Sequence, residues 1–358
     1  TLAGPLTRAK PAQDGIVHTK FISVMHADSR FYRAWAYVTA IGAISLTIGL
    51  ALILFNPNHW VYRLQPNAVT HTQNIIMLAC LMLLQLLMII GTLSATRSTI
   101  MAKDPIPLFP PNKLRVAFAT TRAPGEPIEM VVKTLRAATK IVYKKGTVDV
   151  WLLDETKDDA LRDCCAELGV NYFTRKDVIS WNSTRQAPLS FFRRISNSLR
   201  RKPSRAAGDL APYYPYYAAK TKHGNFNAWR DYLDSKNITY DILAGVDTDQ
   251  VPEPNFLERT LGYFHDQDVA FVIGPQVYGN YRRGFEGLVI RCAESQASFF
   301  QSTIQRAGNA SNSAMFVGTN YAVRLKALNQ VGGFQPCITE DMATSLAIHS
   351  SKNPETGN

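Results

Sequence analysis

Two aspartates that lie one residue apart give the clearest sign of chemistry in this sequence. Asp247 and Asp249 directly follow the apolar run Tyr240–Val246, which is typical of a buried strand. A divalent cation that bridges a diphosphate requires such carboxylate oxygens, because charge develops on the departing phosphate. An Asp-x-Asp pair by itself more often marks a solvated acidic turn. The position at a strand end favours a cation and diphosphate site.

Two further segments carry residue types that could serve a reaction, and each also has an ordinary structural interpretation. Thr339-Glu-Asp341 offers carboxylates, but it also fits a helix start, with Thr339 as the N-cap of the turn that includes Met342. Gly318-Thr-Asn320 suits close backbone approach to a ligand, or an ordinary bend before a strand. The residue types alone leave both alternatives open.

The elements that must position these residues alternate between strands and helices. Strands are predicted at Val116–Thr120, Val148–Leu153 and Tyr240–Val246, and amphipathic helices at Glu126–Tyr143 and Lys157–Leu168. This alternation predicts an α/β fold with a mostly parallel, doubly wound sheet. Ligands of such sheets bind at the carboxyl ends of the strands. Those ends carry the following residues: Thr120, Asp154, Asp247 and Asp249.

Two long stretches without charge predict a pair of transmembrane helices. The most apolar parts are Trp35–Phe55 and Ile75–Gly91, and each stretch can supply the roughly 20 residues that a bilayer core requires. Basic residues precede the first span and follow the second, and only Arg63 lies between them. Both ends are therefore predicted to face the cytoplasm. The alternative is a buried hairpin of a soluble core, which would normally carry a polar face.

Composition limits the remaining function classes. The 358 residues carry a net charge of +11, which favours anionic partners such as lipid headgroups or phosphorylated substrates. Much of this charge lies in a basic insertion at 174–217, which could lie on anionic lipid as a helix or form a flexible loop. Neither a G-x-G-x-x-G fingerprint nor a P-loop is present. Five cysteines without paired spacing favour a reducing compartment without structural zinc.

The order of the motifs resembles the processive family 2 glycosyltransferases, which include cellulose and hyaluronan synthases. Asp247-Thr-Asp-Gln-Val-Pro252, followed by Gly274-Pro-Gln-Val-Tyr278, resembles the D-x-D-x-x-P segment and the strand after it. Lys222-His-Gly-Asn-Phe-Asn227 is similar to a K-x-G-N-x-N motif. Phe316-Val-Gly-Thr-Asn320 resembles an F-x-G-[ST] turn, and Thr339-Glu-Asp341 resembles the T-E-D motif.

The resemblance implies a GT-A type, Rossmann-like catalytic domain and a role for each matched residue. The donor would be a UDP-sugar with Mg²⁺ or Mn²⁺ on Asp247 and Asp249. The donor site would also include Thr120, Asp154, Lys222 and Asn225, with Lys222 on the diphosphate. The acceptor would meet Phe316, Gly318 and Thr319. Asp341 would be the catalytic base, within the motif that also contains Thr339 and Glu340.

Three departures from the family pattern limit what the resemblance implies. The first strand end reads Thr120-Thr-Arg-Ala-Pro-Gly-Glu126, without the usual tyrosine, which affects the packing around the nucleotide base. The usual D-D-G is Asp154-Glu-Thr156 here. The sequence ends at Asn358 without a Q-x-x-R-W motif, so processivity follows from the resemblance alone and a truncated catalytic part is expected.

The function predicted from the sequence is therefore an inverting, membrane-bound transferase that elongates a polysaccharide at the inner face of the plasma membrane. The alternatives are transfer of one sugar to a lipid carrier and a catalytically silent scaffold. Partners would be membrane lipids, accessory secretion proteins or a second copy, and nucleic acid is not expected. The predicted domains are a cytoplasmic segment (1–33), two spans (34–96), a linker (97–112) and a catalytic domain (113–358), with an amphipathic helix at Phe285–Ala307.

Overall fold

The computed structural model describes residues 5–23, 30–59, 66–178, 221–279, 284–337 and 339–358. Most of the basic insertion, residues 179–217, lies outside the described residues, as does Arg63. The strands are β1 (Phe21–Ser23), β2 (Lys103–Pro105), β3 (Arg115–Arg122), β4 (Thr147–Asp154), β5 (Asn171–Phe173), β6 (Ile242–Gly245), β7 (Phe271–Ile273) and β8 (Tyr321–Arg324).

The α-helices of the described residues follow the same order along the chain. They are α1 (Arg30–Leu54), α2 (Ala68–Met101), α3 (Ile128–Ala138), α4 (Asp159–Leu168), α5 (Lys222–Ser235), α6 (Phe256–Thr260), α7 (Phe285–Phe299), α8 (Gln305–Ala310), α9 (Leu325–Gln330) and α10 (Glu340–Ser350). Short 3₁₀ segments lie at Pro57–His59, Arg175–Asp177 and Leu261–His265, and a π-helical segment at Phe300–Ile304.

The chain forms two compact units. One consists of Thr1–Lys20, Pro105–Gln276 and Met315–Asn358, and the other of Phe21–Asp104 and Val277–Ala314. The predicted domain boundaries remain predictions, and these units differ from them in grouping residues 277–314 with the two apolar helices.

The first unit is built on a six-stranded mixed sheet with the order β5-β4-β3-β6-β8-β7. β3 pairs in parallel with β4 and β6, and β4 with β5, whereas β8 is antiparallel to both β6 and β7. Only β8 therefore runs against the other strands described in this sheet. The predicted mostly parallel α/β architecture is confirmed.

Both faces of this sheet are buried, and residues alternate between them with the period of two along each strand. On β3, Val116 and Phe118 enter one apolar cluster with residues of α3 and α4. Ala117 and Ala119 enter a second cluster with residues of α5, α9 and α10. The sheet is thus the middle layer of three, and the carboxyl ends of β3, β4 and β6 form one edge.

Local signals explain where the helices of this unit begin and end. The Asp158 carboxylate caps α4 by accepting from the Leu161 amide, and Gly169 ends it with a left-handed φ of 68°. The helix predicted at Glu126–Tyr143 is shorter, because α3 ends at Ala138 and the chain then turns through Thr139. At Gly245 a Cβ would lie 2.5 Å from the Ala119 carbonyl oxygen, so close strand approach requires glycine there.

The second unit contains the two long apolar helices. Residues Arg33–Leu54 and Ala68–Met101 are long and apolar enough to cross a membrane, and only 11% and 6% of their most apolar windows are buried. The buried-hairpin alternative is therefore not supported. Asn67 and Thr70 form a capping box at the start of α2.

The same unit contains the helical stretch predicted at Phe285–Ala307. It is present as α7, the π-helical segment and α8, which follow one another without a break. Within this unit Arg306 pairs with Asp104 at 2.8 Å, and the Asn309 amide nitrogen donates to the Lys103 carbonyl oxygen at 3.2 Å. Residues near the end of this stretch are therefore tied to β2.

Candidate active site

The Asp-x-Asp loop begins two residues after β6 ends, at the carboxyl edge of the sheet. The Asp247 amide donates to the Thr319 hydroxyl at 3.0 Å, which joins the loop to the Gly-Thr turn before β8. Asp249 is exposed and accepts from the side chain of Gln250 at 3.3 Å. The antiparallel pairing of β6 with β8 brings the predicted metal and acceptor segments together, because Gly245 is opposite Tyr321.

Two further sets of contacts, with the loop after β3 and with α3, hold the Asp-x-Asp loop. The Thr248 hydroxyl donates to the Glu126 carboxylate at 2.8 Å, and the same carboxylate accepts from the Ala123 amide at 3.1 Å. The Thr134 hydroxyl of α3 lies 2.6 Å from the carbonyl oxygen of Thr248 and 2.7 Å from that of Gln250. These contacts fix the middle residue of the motif, so that the two aspartates on either side of it are oriented by the loop.

Lys222 links the two predicted subsites. Its ammonium forms an ion pair with Asp247 and donates to the Gly318 carbonyl oxygen at 2.6 Å. The side chains of Lys222 and Asp247 are 28% and 41% exposed, so solvent screens the pair only in part. The first residue of α5 therefore contacts both the Asp-x-Asp loop and the Gly318-Thr319 turn, which is predicted to bind the acceptor and is called the acceptor turn below.

The T-E-D segment faces the same cluster. α10 begins at Glu340, and a Cβ added to Gly318 would lie 3.8 Å from the Asp341 Cβ and 4.0 Å from Glu340 Oε1. A small cavity on this side is lined by Lys222, His223, Phe226, Phe316, Gly318, Tyr321, Phe334, Glu340 and Asp341. Burial raises the pKa of Glu340, and Asp341 and Asp247 add to this shift, whereas Lys222 opposes it.

The alternative that this segment starts a helix is confirmed, because α10 begins at Glu340 with Thr339 in the N-cap position; only the side-chain cap is missing. Thr339 makes no side-chain cap hydrogen bond to the described residues; the Asp341 carboxylate accepts from the Met342 amide at 2.8 Å instead. The Thr344 hydroxyl donates to the Glu340 carbonyl oxygen, and the Ser345 hydroxyl accepts from the Phe316 amide at 3.0 Å. The helix start is thus tied to the acceptor turn through Ser345.

Phe316, just before the predicted acceptor turn, is a buried packing residue. It is 1% exposed, and its ring lies between those of Phe271, Tyr321 and Phe334 at centroid distances of 5.0 to 6.0 Å. The backbone of the turn therefore rests on an aromatic support. A rigid support is what the predicted role of this turn in acceptor binding would require.

The predicted donor residue Asp154 is buried at the same edge. It accepts from the Thr156 amide and hydroxyl, the Asp158 amide and the Tyr172 hydroxyl at 2.6 to 2.9 Å. Its oxygens are occupied within the protein, so its predicted role in nucleotide binding stays a prediction and its observed role is to order the loop after β4. Burial raises the pKa of Tyr172, and the hydrogen bond to Asp154 adds to this shift.

Asn225 and Thr120 lie deeper than a ligand-contacting residue usually does. Asn225 is fully buried, and its amide nitrogen donates to the Leu153 carbonyl oxygen at 3.0 Å. Thr120 is 1% exposed, and its hydroxyl has no hydrogen-bond partner among the described residues. Asn225 fixes the first turn of α5 against the end of β4 and thereby helps to position Lys222.

Sequence reasoning missed several residues that support the site. Glu126 and Thr134 had no motif to mark them, although the loop after β3 contains Glu126. Arg175 and Glu155 form a buried ion pair with an Nε to Oε1 distance of 2.7 Å. The sequence had placed Arg175 only within the basic insertion. Pairing across elements cannot be identified from the spacing of one sequence.

The carboxylates of the Asp-x-Asp loop fit a divalent metal ion that binds together with a diphosphate. Among the residues described, no group of three or more His, Cys, Asp or Glu side chains is arranged to hold a metal. Asp247 and Asp249 supply two carboxylates, and Mg²⁺ characteristically binds one or two carboxylates together with substrate phosphates. The pair therefore fits a divalent cation whose remaining ligands come from a diphosphate.

The comparison with protein families matches the region that carries these segments. Residues 242–352, which contain the Asp-x-Asp loop, the acceptor turn and the T-E-D segment, match the model described as glycosyl transferase family group 2. Residues 242–352 are therefore a region of the family 2 glycosyltransferase type. The matched region contains three of the motifs in the order that the sequence resemblance predicted, and it belongs to the unit with the mixed α/β sheet.

Curated relatives of the chain make the comparison more specific. The UDP-forming cellulose synthase catalytic subunit of Xanthomonas axonopodis pv. citri is 26% identical over 63% of this chain and 25% of its own length. A UDP-forming cellulose synthase catalytic subunit of Dictyostelium discoideum is 35% identical over 36% of this chain and 12% of its own length. The chain thus spans a quarter or less of these two relatives.

A solved structure is similar to the chain at low identity. It is a mannosyltransferase from Pyrobaculum calidifontis in complex with GDP-Man and Mn²⁺, with 14% identity, a TM-score of 0.42, and coverage of 72% of this chain and 58% of that one.

Proposed function

We propose that this protein is a family 2 glycosyltransferase that transfers a sugar from a UDP-sugar to a growing polysaccharide, with inversion and with Mg²⁺ or Mn²⁺. The single observation that carries the proposal is the convergence of Asp247, Lys222, Gly318 and Asp341. These residues come from four separate segments of the chain. A donor site and an acceptor site that share Lys222 have the arrangement that direct transfer between two substrates requires.

The donor half of the reaction depends on charge. A divalent cation on Asp247 and Asp249 would stabilise the charge that forms on the departing UDP. Lys222 would bind a diphosphate oxygen as a point charge. Glu126 and Thr134 hold the loop in place, so that the two carboxylates do not have to reorganise when the donor binds.

The acceptor half depends on one carboxylate. Asp341 would remove the proton from the attacking acceptor hydroxyl as the new glycosidic bond forms and the bond to UDP breaks. The Gly318-Thr319 turn would hold the acceptor sugar on its aromatic support. The Met342 amide already donates to one Asp341 oxygen, so the carboxylate is oriented by the first turn of its own helix.

The proposal also places the protein in a membrane. α1 and α2 would span the bilayer, and the basic residues on both flanks would keep the catalytic unit on the cytoplasmic side, where UDP-sugars are made. Lipids and the polysaccharide acceptor are then the expected partners, together with accessory secretion proteins or a second copy. The names of the two cellulose synthase relatives support a β-linked glucan as the product class.

The decisive experiment incubates membranes that contain the chain with a panel of UDP-sugars and Mn²⁺ or Mg²⁺. The proposal predicts metal-dependent UDP release with one sugar and a product that a linkage-specific glycosidase degrades. Product length then separates processive synthesis from transfer of one sugar to a lipid carrier. Absence of UDP release and of product with every donor would refute the catalytic proposal and favour the silent scaffold.

A further inference from the structure

The Asp247 carboxylate already forms an ion pair with the ammonium of Lys222. Lys222 occupies Asp247 Oδ1, one of the two oxygens that the aspartate could offer to a metal. The ammonium is held from two sides, because it also donates to the Gly318 carbonyl oxygen at 2.6 Å. The Lys222 ammonium is therefore held at the carboxylate oxygen that a metal ion would need to contact.

A divalent cation next to this ammonium would meet a like charge at short range. The repulsion between the metal ion and the Lys222 ammonium is strong where water screens the two charges incompletely. This condition holds here, because the side chains of Lys222 and Asp247 are only 28% and 41% exposed. The remaining carboxylate of the motif, Asp249, is exposed and is contacted by Gln250. While Lys222 is paired with Asp247, the loop offers a metal ion the exposed Asp249 carboxylate and only the second carboxylate oxygen of Asp247.

We infer that Lys222 blocks the metal site of the free protein, and that metal binds tightly only when a nucleoside diphosphate draws the lysine away from Asp247. This inference rests on the proposed function, because it assumes the same donor and metal subsite. The oxygens of a diphosphate can accept hydrogen bonds from the Lys222 ammonium in place of Asp247. They can also complete the coordination of the metal ion.

The same movement would couple the donor site to the acceptor site. When Lys222 turns to the diphosphate, the Gly318 carbonyl oxygen loses its donor and becomes available to a hydroxyl of the acceptor sugar. Thr319 remains bonded to the Asp247 amide, so the turn stays attached to the loop while its carbonyl changes partner. Donor binding would thus prepare acceptor binding through one side chain.

The test measures Mn²⁺ binding to the purified full chain in detergent, by electron paramagnetic resonance or calorimetry, with and without UDP. Wild type should bind Mn²⁺ weakly alone, and at least about tenfold more tightly with UDP, the effect expected of one charged contact. Lys222→Met should bind nucleotide-free Mn²⁺ about tenfold more tightly than wild type, yet bind UDP more weakly. These opposite changes would not arise from a merely structural role.

Three variants control the measurement. Lys133→Met removes one exposed cation of α3 and should behave as wild type. Lys222→Gln repeats the test with a polar side chain in case the methionine variant does not fold. Lys222→Met combined with Asp247→Asn should lose the gain in Mn²⁺ affinity, which assigns the gain to Asp247.

The outcomes separate this inference from the function on which it rests. Equal nucleotide-free Mn²⁺ affinity in wild type and in folded Lys222 variants overturns the inference alone, as does a gain that survives Asp247→Asn. Absence of Mn²⁺ binding to wild type even with UDP overturns the proposed donor site and the inference with it.

Discussion

The Thr248 hydroxyl donates to the Glu126 carboxylate at 2.8 Å, so the residue between the two aspartates is fixed by the loop after β3. The two loops lie side by side because β3 and β6 are parallel neighbours in the sheet. The middle position of the Asp-x-Asp motif therefore has a structural task, which is to set the direction of the acids on either side.

Thr248→Val is expected to lower kcat/KM for the donor, because the loop loses a hydrogen bond to a charged group. Such bonds contribute about 1.5–3 kcal/mol, which corresponds to roughly a tenfold to hundredfold effect. Thr248→Ser should restore most of the activity, since it keeps the hydroxyl. UDP release at varied donor and Mn²⁺ concentrations measures the effect, and equal kcat/KM in the valine variant and wild type would contradict it.

Asp341→Asn is expected to lower kcat by roughly 10²- to 10⁴-fold, which is the usual effect of removing a general base. UDP affinity should change little, because the donor site is formed by other residues. A matched control is Glu355→Gln, which removes an exposed acid that pairs with Lys326 at 2.5 Å. Comparable turnover in Asp341→Asn and in this control would reject Asp341 as the base.

Arg175→Met is expected to destabilise the catalytic unit by about 3–5 kcal/mol, because it leaves Glu155 as a buried acid without its ion-pair partner. Replacing both residues by apolar side chains should restore part of the loss. Thermal unfolding of the purified protein in detergent measures the difference. Arg162→Met, which removes an exposed partner of Asp159, should change the midpoint little.

Acidification is expected to destabilise the protein through His223. Burial lowers the pKa of His223 below its ordinary value of 6.5, and the charge of Arg175 adds to the shift. The unfolded chain therefore takes up the proton more readily than the folded protein, and stability is lost as the pH falls through 6.5 toward the lowered pKa. His223→Gln should reduce this loss in thermal unfolding between about pH 7.5 and 5.5, the range around the ordinary histidine pKa. An unchanged pH dependence would contradict the prediction.

The sequence alone predicted the elements whose signal is local. Apolar runs such as Val148–Leu153 identified β4, and the α/β alternation identified the layered sheet. The two charge-free stretches identified α1 and α2, since length and hydropathy suffice for that inference. The motif order also indicated the family, because each motif is short and contiguous.

The tertiary structure decided which groups meet. Lys222 and Asp247 are 25 residues apart, and Glu126 and Thr248 are 122 apart, and no local pattern encodes such pairs. The antiparallel placement of β8 beside β6, which brings Thr319 to Asp247, was likewise not predicted. Strand spacing predicts that a sheet forms, whereas the order and direction of its strands depend on packing among elements that are distant in sequence. The same holds for the partner of each buried charge, as Glu155 and Arg175 illustrate.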